Sequence, residues 1–156
     1  KAVREKDDAL MVRSLADLQD QFSRASVTQQ ASLLAARVYA DKSQWDEVEK
    51  PLQWVITQDR EPGFVALARL RLAALHIERK NLDKALSLLQ GVQAPSGFQP
   101  LFDDRLGDIA VLQKKNEEAK TYFLKAWNGL EDSNEYRRLV EIKLAALGIN
   151  PKASGS

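Results

Sequence analysis

A chain of 156 residues, 44% apolar and 29% charged, is globular in composition and of a length that fits one domain. Its 22 Leu and 20 Ala outweigh 18 Val, Ile and Thr together, and only 12 residues are Gly or Pro, which favours helices and excludes a sandwich or barrel. Lys plus Arg number 23 against 22 Asp plus Glu, balanced in both halves, so neither nucleic acid nor an anionic membrane surface is the expected partner.

Eight helices are predicted in chain order, at about 4–24, 28–41, 45–58, 63–79, 82–91, 99–114, 117–128 and 133–147. In the first, Leu10, Leu15, Leu18 and Phe22 form an apolar stripe. Thr28 is the expected cap of the second helix, and Pro51 is placed in the first turns of the third, where a missing N–H is tolerated. Pro62 opens the fourth, whose apolar residues wrap most of its circumference and predict burial on most sides. Asp132 and Glu135 approximate a capping box before the last helix, and 150–156 reads as a flexible tail.

An internal repeat runs through the middle of the chain. Small residues Ala36, Ala73 and Gly107 precede the landmarks Val48, Ala85 and Ala119 by twelve positions, at spacings of 37 and 34. Bulky residues Leu52, Leu89 and Phe123 follow four positions later, and Val55, Val92 and Ala126 three after those. A small residue lets two helices touch, and the bulky one fills the gap between hairpins. This pattern resembles the tetratricopeptide repeat. It departs from it in lacking the first signature Trp, replaced by Ser32, Arg69 and Asp103, and in keeping the usual Tyr only at Tyr39, with His76 and Ala110 in its other positions. The fold expected is an all-α solenoid of helical hairpins: a domain over 1–149, with an N-terminal helix, three hairpins over 28–128 and a C-terminal helix.

The stretch Gly63–Gly91, the run Phe102-Asp103-Asp104-Arg105-Leu106-Gly107-Asp108, and Leu139-Val140-Glu141-Ile142-Lys143-Leu144 are similar to a narrower group, the YfgM-type ancillary subunits of the bacterial SecYEG translocon. That resemblance implies a periplasmic tetratricopeptide-like domain tethered by one membrane helix. It also implies association with the translocon and a periplasmic chaperone of the prolyl-isomerase type, and contact with newly translocated proteins. No run of about 18 apolar residues is present, so the anchor would lie before Lys1, and a start at Lys1 rather than Met agrees with sequence preceding it. The absence of Cys fits an oxidising compartment and removes thiolate zinc sites and cysteine nucleophiles.

Residues that could carry chemistry are few. The lone His76 lies among Ala73, Leu75 and Ile77 and is read as packing. Asp103, Asp104 and Asp108 could form an acid pair or hold a cation for hydrolysis, but as early-turn residues of a helix they are read as dipole partners. Trp45 is expected to be packed at a helix turn, and Trp54 and Trp127 are candidate anchors, with core packing favoured for Trp127. No catalytic residue, metal site or cofactor is expected. The repeat alignment places Gln30, Leu33, Arg37, Ala40 and Asp41 on the inner face, then Leu67, Leu70, Ala74, Ile77 and Glu78, then Leu101, Asp104, Asp108, Val111 and Leu112. One Arg among many aliphatics excludes a clamp for a terminal carboxylate. The remaining candidate is an apolar partner-binding groove over Leu33, Arg37, Leu67, Leu70, Ala74, Ile77, Leu101, Asp104, Asp108 and Val111, open or covered by the first helix. The expected function is non-catalytic protein interaction. The alternative is a tetratricopeptide adaptor in another envelope or cytosolic assembly.

Overall fold

The computed structural model describes residues 1–153; the last three positions of the expected tail, Ser154–Ser156, lie outside the described residues. It contains α1 (Ala2–Gln21), α2 (Ser26–Asp41), α3 (Trp45–Gln58), α4 (Pro62–Glu78), α5 (Leu82–Leu89), α6 (Gln99–Leu112), α7 (Asn116–Gly129) and α8 (Glu135–Ala146), with no strand among the described residues. The chain divides into two compact units, 1–69 and 70–156, with the boundary inside α4.

In the first unit α1 packs on α2 and α2 on α3. No residue of α1 is fully buried. Its contact with α2 is a shallow groove of about 200 Å³ in which Met11, Leu15 and Leu18 face Ala31, Ala35 and Val38. The predicted stripe is therefore displaced: Leu10 and Phe22 are 64% and 56% exposed, and Met11 takes their place. Gln19 Nε2 donates to Ser32 Oγ at 3.0 Å and Ser32 Oγ donates to the Thr28 carbonyl at 2.9 Å, so a buried polar pair fills the site of the missing Trp. Thr28 is not the cap. Ala25 holds that position, and Thr28 is buried in the first turn. Pro51 is the seventh residue of α3, in the second turn, as its place in the predicted helix implies; its buried ring leaves the Glu47 carbonyl without an i+4 N–H donor.

In the second unit α5 packs on α6, α6 on α7 and α7 on α8. Its core gathers Ala110, Ala119, Phe123, Ala126, Leu130, Val140 and Leu144. The close-approach position is explicit at Gly107, where a Cβ would lie under 3.0 Å from three ring carbons of Phe123. The equivalents behave alike: Ala36, Val48 and Leu52, and Ala73, Ala85 and Leu89, are all buried.

The hairpin turns share one backbone pattern. Gln44 N–H donates to the Tyr39 carbonyl (2.9 Å), Asn81 to His76 (2.8 Å) and Lys115 to Ala110 (2.9 Å). The preceding residues Ser43, Lys80 and Lys114 have φ of 57°, 60° and 61°. This is the left-handed turn that satisfies the last carbonyls of a helix, made here without glycine. The start of α8 also differs from expectation. Asn134 is the cap, its Oδ1 accepting from Tyr136 N–H at 2.9 Å, while Asp132 pairs with Arg137.

Candidate functional site

Within the second unit, the end of α4 and helices α6, α7 and α8 enclose a groove of about 380 Å³. Its walls are Ile77, Val111, Leu112, Ala146 and Leu147, its floor is the buried Phe123, and Asp108 and Lys143 stand at its edge. Val111 and Leu112 are 39% and 52% exposed, so apolar surface is open to water here. The groove exists because α6 and α8 approach through charge instead of apolar packing at this level.

That charge forms a compact cluster. Lys143 Nζ lies 3.0 and 3.1 Å from the two oxygens of Asp104 and 3.1 Å from Asp108 Oδ2. The Tyr136 hydroxyl donates to Asp104 Oδ2, and the ring of Phe123 lies 5.6 Å from the Lys143 ammonium. Asp104 has no exposed surface, so its charge is held by Lys143 and Tyr136 together. Burial, reinforced by the Asp104 carboxylate, holds the Tyr136 phenol well above its usual range and keeps it a donor. Burial also pushes the Asp108 carboxyl up, and Asp104 adds to this, while Lys143 and Arg105 pull it back. The Asp103 carboxyl is likewise raised by burial, with the hydrogen bond from Gln99 opposing.

Three predicted groove residues, Ile77, Asp108 and Val111, come together here. Leu70, Ala74 and Leu101 are half-buried elsewhere in this unit. Asp104 does not reach the groove surface, because α8 covers it. In the first unit Leu33 is buried, Leu67 half-buried and Arg37 exposed. The dipole reading of the aspartates is corrected as well: α6 begins at Gln99, its first turn has no acidic residue, and Asp103 and Asp104 fall in the second. Both Asp104 and Asp108 are engaged by a lysine, an arrangement that anchors α8 and leaves neither poised as a general base. Trp45 is 41% exposed instead of packed. Trp127 is half-buried, with the Arg137 guanidinium 3.6 Å above its ring.

Sequence reading passed over Lys143, Tyr136, Ala146 and Leu147. The available signal was the 34-residue period itself: Ala110 plus 34 is Leu144, which puts α8 in the repeat register.

Hairpins built on one turn, close-packed at small residues and opening an aliphatic groove, define a helical-repeat protein of the kind that binds other proteins. The model of the tetratricopeptide repeat-like domain family matches residues 1–149, and the chain belongs to that family. It is also similar, at 29% identity over 133 residues, to a protein of Neisseria gonorrhoeae (strain ATCC 700825 / FA 1090) named "Ancillary SecYEG translocon subunit". The alignment covers 85% of this chain and 63% of that relative's length. No solved structure matches. Family and relative together point to a non-catalytic role in protein interaction.

Proposed function

We propose that this chain is the periplasmic interaction domain of a single-span inner-membrane protein. In this reading it works beside the SecYEG translocon and a prolyl-isomerase-type chaperone and assists newly translocated proteins. The likeness over 133 residues to a relative named as an ancillary translocon subunit carries the reading. No described helix is long and apolar enough to cross a membrane. Binding uses the groove of Ile77, Val111, Leu112, Ala146 and Leu147, which takes up apolar side chains without bond chemistry.

Photocrosslinking tests this in native membranes holding the full-length protein. A photoreactive residue at Val111 or Leu112 should give adducts with translocon subunits, the chaperone or a translocating chain. The same residue at exposed Thr121 on α7 should not. Adducts free of all three would replace this reading with an adaptor of another assembly, and recovery of the protein in the cytosol would refute its location.

A further inference from the structure

The chain holds one sulfur atom, because it has a single Met and no Cys. That atom belongs to Met11, which lies in the seam between α1 and α2. No residue of α1 is fully buried, so the helix is held by a narrow line of contacts. Met11, Leu15 and Leu18, spaced four and three residues apart, form that line and face Ala31, Leu34, Ala35 and Val38 across the shallow groove. All three are half-buried.

The polar contacts beside the seam add little to it. Asp8 pairs with Lys42 at the surface, where side chains 27% and 37% exposed make a weak, screened pair. Gln19 Nε2 reaches Ser32 Oγ. Below the link between the helices, Gln29 Nε2 donates to the Ser23 carbonyl at 3.0 Å. Gln29 Oε1 and the neighbouring Thr28 Oγ1, however, are buried without a hydrogen-bond partner among the described residues. Buried oxygens of this kind weaken the closed arrangement. The docking of α1 therefore depends on three apolar side chains, and Met11 is one of them.

Met11 differs from the two leucines in its chemistry. A thioether takes an oxygen atom from hydrogen peroxide: the sulfur lone pair attacks one oxygen and the O–O bond breaks. The departing hydroxide collects the proton of the transferred oxygen and leaves as water, with sulfur oxidised to the sulfoxide. The product is strongly polar. Opposite it, Ala31, Leu34, Ala35 and Val38 offer no side-chain donor, and Ser14, the hydroxyl of the groove, lies on α1 itself. A sulfoxide kept in the seam loses water without gaining a side-chain partner on α2, a cost that a thioether does not carry.

We propose that Met11 is an oxidation site, and that its conversion to the sulfoxide by a peroxide releases α1 from α2. Leu34, at the rim of the groove, is 61% exposed, so a small oxidant reaches the seam from solvent. Release uncovers Leu15, Leu18, Ala35 and Val38, and enzymatic reduction of the sulfoxide reseats the helix. The switch lies within the first unit, uses none of the groove residues of the second and does not rest on the reading above.

Hydrogen peroxide is the probe, applied to the folded full chain and followed by peptide mass spectrometry and amide hydrogen exchange. The Met11 peptide should gain one oxygen, and the amides of α1 should then exchange at least about tenfold faster while those of α6 and α7 keep their rates. Methionine sulfoxide reductases should restore the original rates. Met11→Leu should keep α1 protected in peroxide, and Met11→Gln should free it without any oxidant. A sulfur that reacts only in urea, a sulfoxide that leaves the protection of α1 intact, or an acceleration by peroxide that persists in Met11→Leu would each overturn the proposal. So would an α1 already unprotected before oxidation, since nothing would remain to release. Crosslinks from Val111 are independent of all these results, so the two readings fail separately.

Discussion

Adding one methyl group at Gly107 should destabilise the protein, although in an ordinary helix interior the same change is favourable. Replacing a mid-helix Gly by Ala gains about 1 kcal/mol of helix propensity. Here the new Cβ would stand under 3.0 Å from three ring carbons of Phe123. That ring is 1% exposed and belongs to the core of Ala110, Ala119, Ala126, Val140 and Leu144, so it has no solvent to swing into. Overpacking a core of this kind costs about 1–3 kcal/mol. The net expectation for Gly107→Ala is a loss of up to about 2 kcal/mol, and about 2–4 °C in Tm for each kcal/mol at this chain length. Gly107→Leu should be worse, and combining Gly107→Ala with Phe123→Leu should recover part of the loss, because the atoms in conflict are removed. Urea unfolding of the four-member cycle, followed by tryptophan fluorescence and helical circular dichroism, reads this coupling. A Gly107→Ala protein more stable than its parent, or strictly additive changes, would refute the close-contact position and the repeat register built on it.

Lys143→Met leaves the fully buried Asp104 without its cation and should cost about 3–5 kcal/mol in urea unfolding, while a Lys143→Met, Asp104→Leu double variant should recover much of it. Lys80→Gly and Lys114→Gly relieve left-handed residues at φ of 60° and 61°, and each should raise stability by about 0.5–1 kcal/mol in the same assay. Asp108 has a folded pKa raised above its ordinary 3.8, so between those two values the native state holds more proton than the unfolded one. Ionised Asp108 therefore detracts from stability above the folded pKa, and the penalty is relieved as pH falls through it toward 3.8. Over that window the parent should gain stability relative to Asp108→Asn; a flat or reversed difference in pH-dependent melts would contradict the burial argument.

The helices were legible because local signals agree with the packing. Pro62 opens α4, Trp45–Gln58 coincides with the predicted third helix, and the small and bulky landmarks are buried in every hairpin. Misplacements fell where a residue had two acceptable uses. Thr28 is a good cap by type, yet α2 starts two residues earlier and buries it. In the second unit the groove was half legible: Ile77, Asp108 and Val111 follow from the period, but the wall of Lys143, Ala146 and Leu147 comes from α8. That wall depends on contacts 35 to 39 residues apart, which periodicity within one helix does not encode.

The fourth register, closed by Ile149 N–H donating to the Leu144 carbonyl at 3.0 Å, escaped for a related reason. The landmark that reveals the other repeats is a small residue, and α8 has Glu141 in its place. A small residue is needed only where a second helix lies against the first, so its loss in α8 marks a change in what is packed there. The turn is under a different constraint. Wherever a first helix stops, its last carbonyls need donors, and the left-handed turn supplies them whatever the side chains do. Ser43, Lys80, Lys114 and Gly148 have only that backbone geometry in common. A search for glycine finds one turn of the four, whereas the i+5 hydrogen bond finds them all. In this chain the repeat is carried more faithfully by backbone satisfaction than by side-chain type, and α8 is the helix in which the two part.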